Sequence, residues 1–273
     1  MLIDAHFHAD DLYNLDPDFP EAYRGSGVLG LASVHDGAGL AATRRIMAGA
    51  GRYLVSFGIH PQLAVMDEAD ELERRAVSGE LAAIGECGFD FYGNAPELVR
   101  NPENERAQRE AFEFQIGLAQ RCGLPVVLHL RRATDLLFEY AKRLSALRGL
   151  VLHSWPGPAN EALDFLARCP RALFSFGLQV SNGNKKAQGS AAALPATAIL
   201  METDAPYQPP RSAPPLGARG NHRPLLRAYS TVADLPLVVA ELAVLRGQRP
   251  EALEAQVERN FLEVFGNALQ RQD

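Results

Sequence analysis

The sequence predicts a parallel (β/α)8 TIM barrel, and three observations carry that prediction. Eight short apolar runs bounded by turn residues are spread along the 273 residues. Amphipathic stretches separate most of them, the alternation expected of strands and helices around one parallel sheet. Histidines and carboxylates stand where several runs end, which is where such a barrel gathers its chemistry.

In chain order the runs are LIDAHFH from Leu2, GVLGLASV from Gly27, YLVSFGI from Tyr53 and LAAIGE from Leu81. PVVLH from Pro125, LVLH from Leu150, ALFSFG from Ala172 and AILMETD from Ala198 complete the set. Between the fourth and fifth, ERAQREAFEFQIGLAQRCG puts Phe112, Ile116 and Ala119 on one helical face and stops at Gly123, before Pro125 opens the next strand. Near the end, PEALEAQVERNFLEVFG starts with Pro250 at a first-turn position and aligns Leu253, Val257, Phe261 and Val264. That helix is expected to finish at Gly266. Two long connections, 93–106 and 178–198, show neither helical nor strand periodicity. Each is a candidate lid, and the second, rich in Gly, Ser, Asn and Ala, reads equally well as disordered.

With 47% hydrophobic residues the chain can bury a large core, and residues 1–273 are expected to form a single domain. No uncharged run of about 18 apolar residues exists, so no membrane span is expected. The N-terminus lacks the charged region and apolar stretch of a signal peptide, which predicts a cytoplasmic protein. Cys87, Cys122 and Cys169 are odd in number and widely spaced, so three reduced, mostly buried thiols are expected. No obligate protein partner is inferred. The net charge of −6 argues against a nucleic-acid partner only if charge is averaged over the surface. Residues 130–134, 178–198 and 205–223 carry Arg131, Arg132, Lys185, Lys186, Arg211, Arg219 and Arg223 and no acid, where about five acids would fall by chance. Positive charge is thereby sorted toward one face.

His6, His8, Glu86, His129, His153 and Asp204 each close an apolar run. Four imidazoles and two carboxylates are ligands that borderline divalent metals take. A single such histidine usually has a structural hydrogen bond; six residues sharing one position type argue for a site. His6 and His8, two apart on a strand, share a face. Glu86 has two oxygens and can bridge two ions about 3.5 to 4 Å apart. His129 and His153 would complete one shell, while Asp204 ligates the other ion and takes a proton from the attacking water. Glu86 and Asp204 are therefore the expected catalytic residues, with two divalent ions per subunit drawn from zinc, manganese, cobalt or magnesium. Asp4 reads as a carboxylate that orients an imidazole or as a turn cap. Asp90 and Tyr92 either orient ligands and substrate or fix their loop. Trp155, the only tryptophan, could stack on a nucleobase or pack beneath a loop.

At these residues the chain resembles the TatD family of metal-dependent deoxyribonucleases. The resemblance runs from Ile3 to Phe265, through DAHFH (4–8), GIHPQ (58–62), IGECGFDFY (84–92), LPVVLHLR (124–131), LHSWPG (152–157) and METDAPY (201–207). It implies the same barrel, a divalent metal centre at the six positions, and exonuclease-type hydrolysis of phosphodiester bonds in DNA or in a small phosphodiester. Water activated by the ions would attack phosphorus, with Asp204 handling the proton. The resemblance also implies that His60 meets substrate phosphate. Together with the charge sorting, the expected substrate contacts are His60, Tyr92, Arg131, Trp155 and Arg223. The chain departs from the family where Leu130 and Arg132 stand in place of Ser and Asp, and where Ser154, Trp155, Pro156 and Gly157 replace Cys-Phe-Ser-Gly. An alternative is a metal-dependent amidohydrolase or lactonase acting on a small molecule, disfavoured because Glu86 occupies the place of the modified lysine that such enzymes often carry. A non-enzymatic binding module is disfavoured by the intact ligand set.

Overall fold

A computed structural model describes residues 1–212 and 224–271. All eight apolar runs become strands: β1 (Leu2–Phe7), β2 (Val28–Val34), β3 (Tyr53–Phe57), β4 (Ala83–Asp90), β5 (Val126–Arg131), β6 (Leu150–Leu152), β7 (Ala172–Phe176) and β8 (Ile199–Met201). They lie parallel in sequence order, each paired with the next. Past β8 the chain closes on β1: Asp204 N donates to His6 O at 2.9 Å, and His8 N donates to Ala205 O at 2.7 Å. The seam thus closes through the backbone of expected ligands.

Helices wrap the outside. Among the described residues α1 (Ala9–Leu15) and α2 (Phe19–Ser26) follow β1, α3 (Gly37–Ile46) follows β2, and α4 (Ala69–Val77) follows β3. After β4 comes α5 (Pro102–Cys122); after β5, α6 (Thr134–Glu139) and α7 (Ala141–Ser145); after β6, α8 (Ala159–Arg168). The chain finishes with α9 (Lys185–Ala193) after β7, then α10 (Leu235–Arg246) and α11 (Pro250–Gln270).

Local chemistry explains the ends, and corrects three expectations. The Asn101 side chain accepts from Glu103 N and Asn104 N, Pro102 fills the first turn, and Gly123 ends α5 at φ +62°. Residues 102–106 are therefore helix, not irregular connection. In the second connection Asn184 caps α9 by accepting from Lys186 N and Ala187 N. That helix buries Ala187, Ser190 and Ala191. Small residues let it pack close without a stripe of large side chains, so the segment is ordered although no periodicity shows. Finally, α11 runs through Gly266 to Gln270, because Ala268 and Leu269 continue its buried face. Asn260 Nδ2 on this helix donates to Ala196 O and Ile199 O, both at 2.8 Å, anchoring it to the start of β8.

Glu86 lies within β4 rather than at a strand end. Gly85 and Gly88 flank it at φ +129° and +138°. A Cβ at Gly85 would sit 2.2 Å from Val127 O, and one at Gly88 2.1 Å from His129 O. Only glycine admits this approach of β4 to the β5 backbone, which sets Glu86 beside His129. No helix among the described residues is long and apolar enough to cross a membrane.

Candidate metal centre

The strands deliver their polar residues to one cavity of about 640 Å³, whose walls include His8, Glu86, His129, His153 and Asp204. His6 sits within β1 and His8 just beyond it, so strand alternation turns both the same way. His129 is in β5, His153 directly follows β6, and Asp204 stands three residues past β8. Two more imidazoles join them: His35 directly after β2, and His60 beyond β3, whose Nδ1 accepts from Gln62 N at 3.2 Å.

Glu86 divides this group. Its Oε2 faces His6 Nε2 at 3.3 Å, His8 Nε2 at 3.8 Å and His35 Nε2 at 3.9 Å. Its Oε1 faces His129 Nδ1 at 2.6 Å, His153 Nε2 at 3.2 Å and His60 Nε2 at 3.6 Å. On the Oε2 side, Asp204 Oδ1 lies 3.6 Å from His8 Nε2 and 3.8 Å from His6 Nε2, while the two Nε2 atoms are 3.2 Å apart. Ligands bound at about 2.0 to 2.2 Å from one ion stand roughly 3.0 to 3.6 Å from each other. Most of these spacings fit that range, and the donor chemistry suits a borderline divalent cation. His6, His8 and Asp204 form one candidate ligand group, His6, Glu86 and His153 another, and His35 and His60 each complete a further group with Glu86. All six expected ligands are therefore brought together.

Electrostatics prepares them for that work. Burial alone would raise both carboxylates, but His153 and His6 hold Glu86 well below the usual range, and His153 and His8 hold Asp204 at about 2. Burial pushes His6 and His60 down, so both offer lone pairs at neutral pH. His153 runs the other way: burial would lower it, yet Glu202, Glu86 and Asp204 raise it to about 10. A cation at its Nε2 would compete with that proton, and its affinity would then depend on pH.

Behind the ligands stand residues that orient them. Glu202 Oε1 lies 3.0 Å from His153 Nδ1. Asp90 Oδ2 lies 2.9 Å from His129 Nε2 and accepts from Gln62 Nε2 at the same distance. Gln208 Nε2 donates to Asp204 Oδ2 at 2.8 Å and to Ser154 Oγ at 2.7 Å. Ser154, Asp204 and Gln208 have φ of +45°, +56° and +55°, so one amide ties together three residues in the left-handed region that non-glycine residues rarely adopt. Asp4 orients no imidazole ring: its carboxylate accepts from Thr203 N at 2.9 Å and Thr203 Oγ1 at 2.6 Å, pinning the end of β8 to β1. Sequence reasoning missed His35, Glu202 and Gln208. His35 carried the same signal as the six, since it directly follows a strand.

The expected substrate contacts fare differently. Arg131 lines the cavity with its side chain 41% exposed, and His60 lies in the wall. Tyr92 stands under Arg131, whose Cζ is 3.9 Å from the ring centre. Trp155 is not available to substrate: it is fully buried, edge-on to Phe174, with Nε1 donating to Ser190 Oγ on α9 at 3.3 Å. Its backbone N donates to Ser175 O in β7, which commits the ring to packing under α9. Trp155→Ala should therefore cost about 3 to 5 kcal/mol of stability, seen as a lower denaturation midpoint, with kcat/KM of the folded enzyme changed by no more than about threefold. A large loss of kcat/KM at unchanged stability would return Trp155 to the substrate. Lys185 and Lys186 open α9 and are exposed. Arg219 and Arg223 lie outside the described residues.

The family model described as TatD related DNase matches residues 3–266. A protein of Erwinia billingiae (strain Eb661) named 3'-5' ssDNA/RNA exonuclease TatD is 35% identical over 216 residues, 76% of this chain and 76% of its own. One of the same name from Klebsiella pneumoniae (strain 342) is 32% identical over 199 residues, 72% of this chain and 70% of its own. Among solved structures, the TatD homologue YJJV of Escherichia coli K12 matches with a TM-score of 0.80 at 23% identity, over 97% of this chain and 98% of that one, which shows a shared fold.

Proposed function

The chain belongs to the TatD related DNase family, and from that premise we propose that it is a hydrolytic nuclease that removes nucleotides from the end of single-stranded DNA or RNA. The observation that carries this reading is the division of the two Glu86 oxygens between two sets of imidazoles. His6, His8 and Asp204 would hold one divalent cation with Oε2, and His129 and His153 a second with Oε1. Such a pair, when bound, polarises phosphoryl oxygens and makes water in the cup more acidic. Asp204, ionised at neutral pH, accepts the proton that the attacking water gives up. His60 meets the phosphate whose P–O bond breaks, and Arg131, braced from below by Tyr92, adds positive charge at the cavity wall. Family membership favours this over a lactone or cyclic amide hydrolase on the same barrel. The same reading takes residues 1–273 as one domain in the cytoplasm, supported by three free cysteines, two of them buried.

The test is to strip the protein with a chelator and reload it with zinc, manganese, cobalt or magnesium. Single-stranded DNA and RNA, a small phosphodiester, a phosphomonoester and a lactone are then compared. Stripping should lower phosphodiester turnover by roughly a hundredfold or more, and reloading should restore it with about two ions per chain. Faster turnover of the lactone than of any phosphodiester would overturn the proposal.

A further inference from the structure

Arg131 closes β5, and Arg132 follows at φ +55°. Consecutive residues of a regular strand point to opposite faces, but the left-handed backbone at Arg132 breaks the alternation. Both guanidinium groups consequently reach one ring: Arg131 Cζ lies 3.9 Å and Arg132 Cζ 4.7 Å from the centre of Tyr92. The ring is held in place from β4, since Tyr92 N donates to Asp90 Oδ1 at 2.8 Å.

An aromatic face attracts cations without neutralising them. The nearest carboxylate, Asp90, has Oδ2 4.0 Å from Arg131 Nη1, and that oxygen is already engaged by His129 and Gln62. Among the described residues no carboxylate pairs with Arg132. At this position the resemblance leads one to expect an acid, which would cancel Arg131; the chain carries a second positive charge instead. Two guanidinium groups gathered on one ring, with Arg131 in the cavity wall, form a fork suited to phosphate oxygens. Their place sets which phosphate. Arg131 lies two residues beyond His129 on the same strand, about 6.6 Å along it, a step comparable with that between successive phosphates of a nucleic-acid strand.

We propose that Arg131, Arg132 and Tyr92 form a second anion subsite, which binds the phosphate adjoining the one cleaved and makes an oligonucleotide a better substrate than an isolated diester. The inference rests on the phosphodiesterase reading above. Tyr92 serves as the brace of this subsite, holding the guanidinium groups rather than stacking on a base.

The test compares a dinucleoside monophosphate, which has one phosphate, with the same dinucleotide carrying a second phosphate at either end, and with a trinucleotide. Wild-type kcat/KM should favour the two-phosphate substrates by about tenfold or more, chiefly through KM. In Arg132→Ala the ratio should fall to about threefold or less, and in Arg131→Ala/Arg132→Ala it should approach one. Tyr92→Phe should keep the ratio, whereas Tyr92→Leu should reduce it. Metal-stripped protein gives a readout independent of turnover: oligothymidylate binding followed by anisotropy against salt should lose about 0.7 of its logarithmic slope in the double variant. Unfolding midpoints matching wild type would show that these substitutions leave the fold intact. If the dinucleoside monophosphate is cleaved but the ratio and slope are the same in wild type and double variant, the subsite is wrong and the nuclease reading stands. If reloaded wild-type enzyme cleaves no phosphodiester, both fall.

Discussion

Glu86→Gln is expected to lower phosphodiester turnover by about 10³ or more, the largest loss from any single substitution in the cup. The side chain keeps its shape, but one oxygen becomes an amide nitrogen that donates and cannot ligate. Whichever way the amide turns, either the His6, His8 and His35 side or the His129, His153 and His60 side loses its oxygen. The charge that balances six surrounding imidazoles also goes. Metal content should accordingly fall to about one ion per chain or fewer, measured by elemental analysis beside turnover of a single-stranded oligonucleotide. Two tightly held ions and turnover within tenfold of wild type would remove Glu86 from the bridging role.

Asp204→Asn should lower turnover by about 10² or more while reducing metal content less. Asparagine retains one oxygen, yet two partners want it. Oδ1 faces His6 and His8, whereas Oδ2 accepts the Gln208 amide. If the remaining oxygen serves the cup, an amide N–H meets the Gln208 donor; if it serves Gln208, an N–H points at the histidines. Either way no carboxylate remains to accept a proton. Turnover at saturating metal, set beside the ion count, separates lost proton transfer from lost ligation. Wild-type turnover in this variant would take Asp204 out of proton transfer.

The barrel was legible because parallel strands buried on both faces read as largely apolar runs, and all eight runs here are of that kind. The candidate ligands were legible because side-chain alternation and strand ends aim residues at one mouth. His35 obeys the same rule and needed no further information. Other features depend on direction rather than on position. Trp155 is two residues from His153 along the chain, but Ser154 at φ +45° lies between them, and the indole packs beneath α9. METD contains two acids two residues apart, and nothing in their spacing says that Glu202 backs His153 while Asp204 faces the histidines. The apolar run ends at Glu86, whereas Gly85 and Gly88 let β4 continue past it against the β5 backbone. Helix α9 is held by capping and by small residues, so its composition imitates that of a loop.

The seam between the first and last strands makes assembly of the candidate site depend on contacts far apart along the chain. Asp4 is joined to Thr203 across 199 residues, and His6 and His8 share backbone hydrogen bonds with Asp204 and Ala205. The two histidines are synthesised before the carboxylate that stands opposite them. Contacts so distant along the chain close late, because nearly the whole polypeptide must be brought round to form them. A nascent or truncated chain lacking Asp204 holds imidazoles without their closing partner. The cup is thus completed only when the last strand docks against the first.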